Sequence, residues 1–280
     1  MTTLERETSE VQATQSGDAG SRRGSLLRRL LPLAPGVAFL LLWEYSSGRL
    51  IRDAYISSPV DVATRLYELF STGAVFPDLQ TTLTELVSGY LLGALGGVLV
   101  GYALGRSGLL ARMFEPYILA AYGIPKIAFA PLFIIWFGVG VSSKIALAAA
   151  MVFFMVFFNV YFGVRSVNRE LVDVANVLGV RGRRLTQYVY LPATLPYIFL
   201  GLRIALPYSV IGVVVGEFTS ASSGLGLYMY QASVTFDPAG VFAGVAILLL
   251  FVLFGQLALN LIQARALRWQ PTPTGRTHSA

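Results

Sequence analysis

Long apolar runs separated by short polar breaks dominate this chain. Five of them have the length of a membrane span: about Leu79 to Leu104, Tyr117 to Phe137, Ser142 to Phe162, Ala193 to Val215 and Val241 to Ile262. A sixth, about Leu30 to Ser46, is shorter and opens with Pro32 and Pro35, which are tolerated in a first helical turn because the N–H groups there lack partners. At about 1.5 Å per residue each of the five reaches the roughly 30 Å of a hydrocarbon core, and the first needs its flanks to do so. The pattern predicts an all-α membrane protein with about six transmembrane helices. Val60 to Phe76 reads as an amphipathic surface helix, and Gly138-Val139-Gly140 as the tight turn of a helical hairpin.

The most informative polar stretch is Arg165 to Tyr190, between spans four and five. Leu171, Val174, Ala175 and Leu178 fall at i, i+3, i+4 and i+7, which places one apolar face on two turns of helix. Gly179 then ends that helix, and Arg181 to Val189 can form a second. Two readings are open for the island: a loop lying on the lipid interface, or a helix that docks in a groove of a soluble partner.

Charge sets the orientation. With the N-terminus inside, fifteen arginines fall on the inner side and only Arg49, Arg52, Arg65 and, near the span boundary, Lys144 on the outer. The expectation is an inner-membrane protein with both termini and the island in the cytoplasm. The Ser/Thr/Glu-rich stretch 1–24 is expected to be a disordered cytoplasmic tail, 25–78 to hold the first span and an outer surface helix, 79–265 to be the transmembrane domain, and 266–280 to be a second cytoplasmic tail. Hydrophobic residues make up 55% of the 280 and charged ones only 13%, so a soluble fold is excluded. The net charge of +6 flanks the apolar runs instead of lining one surface, which argues against nucleic acid. There is no Cys, and the only His is His278 in a polar tail, so no metal or cofactor site is expected.

Span two carries Gly89, Gly93, Gly97, Gly101 and Gly105, five glycines spaced by four. On a helix they form one smooth stripe against which a second backbone can pack closely. The candidate ionisable groups inside the spans are Glu85, Lys126, Arg203 and Glu217; a charge at membrane depth marks a functional site by default. For Arg203 the readings are an ion pair or a solute contact. Lys126, between Pro125 and Pro131, is read either as part of a pathway for an anion or as the partner of Glu85.

Asp173-Val174-Ala175, then three residues, Gly179, nine residues, Val189, one residue, and Leu191-Pro192 resemble the cytoplasmic signature of ABC-importer permeases. That pattern is Glu-Ala-Ala, three residues, Gly, nine residues, Ile, one residue, Leu-Pro; here Asp173, Val174 and Val189 depart from it. IPKIAFAPLFIIWFGVG at 124–140, LPYIFLGLRIAL at 195–206 and VVVGEF at 213–218 resemble the subgroup that imports nitrate, sulfonates and taurine. The resemblance covers 79–265 and implies the type I importer permease architecture, with a coupling-helix loop between spans four and five. It also implies a separate ABC ATPase subunit, an extracytoplasmic solute-binding protein and a second copy of the chain. The sequence agrees in lacking a Gly-x-x-x-x-Gly-Lys-Ser/Thr loop: its lysines, Lys126 and Lys144, are each followed by Ile. By resemblance, Leu171, Asp173, Val174, Ala175, Leu178, Gly179, Leu191 and Pro192 couple to the ATPase. Lys126, Arg203, Glu85 and Glu217 are candidates for the pathway of a small anionic or heteroaromatic solute. The rival expectation, a secondary transporter or channel, calls for charges spread through several spans and an internal repeat, and neither is visible.

Overall fold

The structure, a computed structural model, describes residues 34–50, 52, 55–220 and 222–269. The expected tail 1–24, the opening turn of the first span and the 266–280 tail beyond Trp269 lie outside the described residues. The chain divides into two units, 1–64 and 65–280.

In the first unit, helix α1 covers Ala34–Ser46. Trp43 Nε1 donates to Ser57 O at 2.6 Å, which ties α1 to the segment leading into α2, Pro59–Ser71. Ser58 caps α2: its Oγ accepts from Asp61 N at 3.1 Å, while Asp61 Oδ2 accepts from Ser58 N at 3.3 Å. This reciprocal pair, with Pro59 at the first helical position, fixes the start of the helix. The surface helix expected to run to Phe76 ends at Ser71, because the chain turns at Gly73, φ 76°, before a new helix begins.

The second unit is a bundle. Its elements are α3 (Phe76–Arg106), α4 (Gly108–Gly123), a short 3-10 turn at Lys126–Phe129, α5 (Ala130–Phe137), α6 (Val141–Arg165), α7 (Arg169–Val177), α8 (Gly182–Leu185), α9 (Leu191–Ser220), α10 (Leu225–Val234) and α11 (Pro238–Ala266). The glycine stripe of α3 sets its register. Gly89, Gly93, Gly97, Gly101 and Gly105 lie against the carbonyls of Ile145, Ala149, Phe153, Phe157 and Tyr161 on α6. Both series rise by four together, so α3 and α6 run parallel and in contact for about 24 Å. The chain between them must therefore come back across the same distance, and α4 with α5 makes that return. Gly201 on α9 faces Val156 and Asn159, Gly212 faces Ala148, and Gly216 faces Lys144, so α9 runs antiparallel to α6. Gly255 on α11 meets Leu206, and Gln256 Nε2 donates to Arg203 O at 2.9 Å, so α11 is antiparallel to α9. The second unit thus has four helices long and apolar enough to cross a membrane, α3, α6, α9 and α11, and the bent α4–α5 pair returns the chain between the first two.

Two expectations are corrected here. The third span is not one helix over 117–137: α4 and the segment Lys126–Phe137 meet at 86°. Pro125 has no N–H to donate and forces Ile124 into extended backbone at ψ 129°, which breaks the ladder. The fifth span is longer than 193–215. Gly182–Ser220 forms one helical run of 39 residues, so the island's second helix is its first turns. A π-type turn at Thr186–Tyr190 sits just before Pro192, whose missing N–H leaves the Tyr188 carbonyl without a ladder partner. Between α9 and α11 lies a further apolar helix, α10, too short to cross a membrane.

A Cβ on Gly97 would lie 2.8 Å from Phe153 O and 2.9 Å from Val156 Cβ. Gly97→Leu must therefore push α3 off α6, at a cost of about 1–3 kcal/mol. Thermal unfolding of the detergent-purified protein should show a lowered midpoint for Gly97→Leu and almost none of that shift for Leu99→Ala, whose side chain is exposed. Equal midpoints would mean that the helices tolerate separation along this seam.

Candidate functional site

At one end of the bundle lies the island. Asn168 caps α7 by accepting from Glu170 N at 2.9 Å. At the other end of α7, Gly179 N donates to Asn176 O at 3.0 Å and Val180 N donates to Ala175 O at 2.9 Å, with Gly179 at φ 78°. These are the two bonds of a Schellman cap, which needs a left-handed residue at that point. The helix exposes Leu171, Val174, Val177 and Leu178; Val177 is 88% and Leu178 75% accessible. Ala175 is turned inward and buried, so it does not share the exposed face on which its spacing placed it. Val177, which the i, i+3, i+4, i+7 pattern passed over, takes its place. Its position three residues after Val174 was the available signal. Asp173 lines a polar hollow of about 330 Å³ with Arg106, Arg165 and Arg169. Leu191 is exposed and Pro192 half-buried, just past the π-type turn.

At the opposite end, Glu85 and Glu217 come together with Lys144. All three are buried, and the Lys144 ammonium lies 3.6 Å from Glu85 Oε1. Glu217 is held on three sides. Its Oε1 accepts from Thr82 Oγ1 at 2.6 Å, its Oε2 accepts from Gly226 N, and Gly224 presses so closely on the carboxylate that no Cβ fits there. Thr82 Oγ1 in turn accepts from Leu225 N at 2.8 Å, and Asp78 Oδ1 accepts from Gly224 N at 2.8 Å. The Gly224–Gly226 turn is thus fastened to α3 and α9 by the buried Glu217 carboxylate, the half-buried Asp78 carboxylate and a hydroxyl. The sequence reading of Lys144 as a boundary charge is overturned by its burial. Glu85 is paired with Lys144, and Lys126 is not its partner.

Lys126 sits at the break after α4. Its Nζ donates to Tyr122 O at 2.8 Å and lies 5.1 Å from the centre of the Phe154 ring. Arg203 is half-buried, and its Nε has no hydrogen-bond partner; among the described residues it makes no ion pair. The structure therefore groups Glu85 with Glu217, and leaves Lys126 and Arg203 elsewhere.

Two carboxylates face one ammonium in the cluster, which makes Lys144 the costly member to lose. Lys144→Met leaves both acids without a counter-charge and should destabilise the protein by about 3–5 kcal/mol, whereas Glu85→Gln leaves the Lys144–Glu217 attraction intact and should cost less. Adding Glu85→Gln to Lys144→Met should recover part of the loss. Thermal unfolding of the four proteins checks this order, and additive losses would exclude the pairing.

Four membrane-length apolar helices and a bent fifth pair, with an apolar-faced helix exposed at one end and buried charges fastening a turn at the other, mark a multi-pass membrane protein. Residues 93–268 match the family of binding-protein-dependent transport system inner membrane components, and the chain belongs to that family. It is 34% identical over 241 residues to the formylaminopyrimidine transport permease protein ThiX of Halalkalibacterium halodurans, covering 85% of this chain and 96% of that protein. It is 31% identical over 269 residues to the putative aliphatic sulfonates transport permease protein SsuC of Bacillus subtilis, covering 95% of each. Among solved structures, an inward-facing form of the MetNI methionine ABC transporter superposes with a TM-score of 0.55 at 21% identity, over 69% of this chain and 94% of that one. The chain is an ABC-importer permease for a small solute, with an all-α, membrane-spanning fold.

Proposed function

We propose that this permease carries no catalytic step of its own and is driven by a separate ATPase subunit seated on α7. The observation that carries the reading is the exposed apolar face Leu171, Val174, Val177 and Leu178, ended by the Schellman cap at Gly179. An apolar helix face beside charged residues suits a groove on a partner better than it suits water. The solute is small and anionic or heteroaromatic, as with the relatives for formylaminopyrimidine and aliphatic sulfonates, and an extracytoplasmic binding protein delivers it. Two copies of the chain enclose the pathway.

The charge distribution supports a cytoplasmic α7. Arg106, Arg112, Arg165, Arg169, Arg181, Arg183, Arg184, Arg265 and Arg268 belong to one end of the second unit. The other end has Arg65 and Lys144, and both face carboxylates, Asp237 and Glu85. That asymmetry supports an arginine-rich end in the cytoplasm, and the sequence-wide arginine bias supports both termini on the same side of the bacterial cytoplasmic membrane.

Labelling tests the orientation. The native chain has no Cys, so the background is clean. A cysteine at the exposed Ser222 should react with an impermeant thiol reagent in intact cells, and one at Val177 only after lysis. The reverse pattern would invert the assignment.

Coupling is tested by two substitutions. Leu178→Asp removes an apolar anchor worth roughly 1.5–3 kcal/mol, or about one to two orders of magnitude in docking. Gly179→Val puts a β-branched residue at φ 78° and strains the cap. Each should abolish solute-stimulated ATP hydrolysis in proteoliposomes holding the ATPase and binding protein, while membrane insertion is unchanged. Full stimulation at equal subunit stoichiometry would assign the island to the lipid interface.

A further inference from the structure

Where the break at Pro125 meets α6 and α9, two hollows of about 200 and 440 Å³ share Met155 and Tyr208 as a common wall. Met155 stands roughly 200° around α6 from both Phe153 and Phe157, whose carbonyls meet the glycine stripe, so this chamber opens on the other side of that helix. Tyr122, Tyr197 and Tyr208 line it from its open side, 63%, 37% and 37% accessible, so their faces and hydroxyls are free to meet a solute. Asn159 donates one amide hydrogen to Met155 O at 2.8 Å, which leaves its second hydrogen and its carbonyl oxygen open. Lys126 closes one end of the chamber with a single internal hydrogen bond. No Asp or Glu lines either hollow.

Polar groups without partners at membrane depth are costly unless they face a watery cavity or a ligand. Here they stand on wide aromatic faces, with Phe158 packed edge-to-face on Tyr122 at 4.8 Å between ring centres. We propose that this chamber is a solute subsite in the permease itself, and that it takes a planar nitrogen heteroaromatic ring. The ring stacks on tyrosine, while Asn159 offers both a donor and an acceptor to its edge and Lys126 donates to a ring carbonyl or nitrogen. An aliphatic sulfonate fits poorly. It brings a full charge and three acceptor oxygens to a site whose one cation already shares its hydrogens, and it gains nothing from the three rings. This proposal rests on the importer reading above and narrows its solute class.

The test uses the permease–ATPase complex in lipid nanodiscs, without binding protein, under equilibrium dialysis with riboflavin, cytosine or taurine as probe. Riboflavin and cytosine should bind saturably, and taurine should not. Tyr208→Leu and Asn159→Leu should each weaken ring binding about tenfold, the loss expected for one stacking face or one edge contact. Tyr208→Phe keeps the face and should stay within about threefold of the parent. The proposal is overturned if neither ring binds, if the leucine variants bind as the parent does, or if taurine binds in a manner lost with Lys126→Met. Loss of dimer in Tyr208→Leu with ring binding retained would also overturn it, by assigning the face to a second copy. ATPase retention in the same samples separates this result from the coupling reading, because a complex that keeps its ATPase and binds no ring refutes the chamber alone.

Discussion

The close approach of α3 to α6 is the constraint on which the rest of the second unit depends. In lipid, water does not drive helices together, so contact comes from backbones that can approach closely and from the dispersion this allows. Five glycines set against five carbonyls at the same spacing give that approach over most of a membrane's thickness. Because the pair is parallel, the chain between must return, and it does so through a segment that proline breaks. The other side of α6 then receives α9, again through glycines, at positions 201, 212 and 216. One helix, α6, is thereby packed on two sides and becomes the fixed axis of the bundle.

That axis joins the two ends where the polar chemistry lies. Lys144 is in the first turn of α6, and Arg165 in its last, three residues before the cap of α7. Helix α9 has the same arrangement in reverse: the π-type turn and Pro192 at its start, Glu217 near its end. A displacement of α7 carried by either helix as a rigid body reaches the buried Glu85–Lys144–Glu217 cluster, and through Glu217 the turn at Gly224–Gly226. Helix α6 has no internal proline at which to bend, whereas Pro196 and Pro207 each remove a ladder hydrogen bond inside α9, so α6 is the stiffer of the two links.

Much of this was legible from the chain because it follows from one-dimensional periodicity. The stripe of glycines, the apolar lengths, and the signature from Asp173 to Pro192 need no partner to be read. The misses share a physical cause: each turns on what a residue meets across space. Lys144 stands at a span boundary in sequence and reads as a surface charge, but α6 begins deep enough that α3 and α9 cover it. Ala175 has the right spacing for an exposed face, yet a face is set by its neighbours, and Val177 is the residue left outside. The break at Pro125 was partly legible, since the residue before proline avoids the helical region. Its 86° angle follows from how the return segment must fit beside α6.

The two groups of polar residues at membrane depth differ in how far they are covered, and that difference assigns their work. Glu217 accepts from a hydroxyl and a backbone N–H and lies near an ammonium, so water would gain little by entering. A buried network of this kind holds one geometry, since breaking any member strands a charge. The phenols of Tyr122, Tyr197 and Tyr208 and the open side of Asn159 have no such closure, and the hollow between them is large enough for a ring. Unsatisfied donors and acceptors beside stacking faces are completed by whatever passes. The contacts of Glu217 hold the bundle's shape at one depth, where the Glu85 oxygens accept no hydrogen bond and rely on Lys144 alone; at another depth an open aromatic groove gives a solute a reason to leave water.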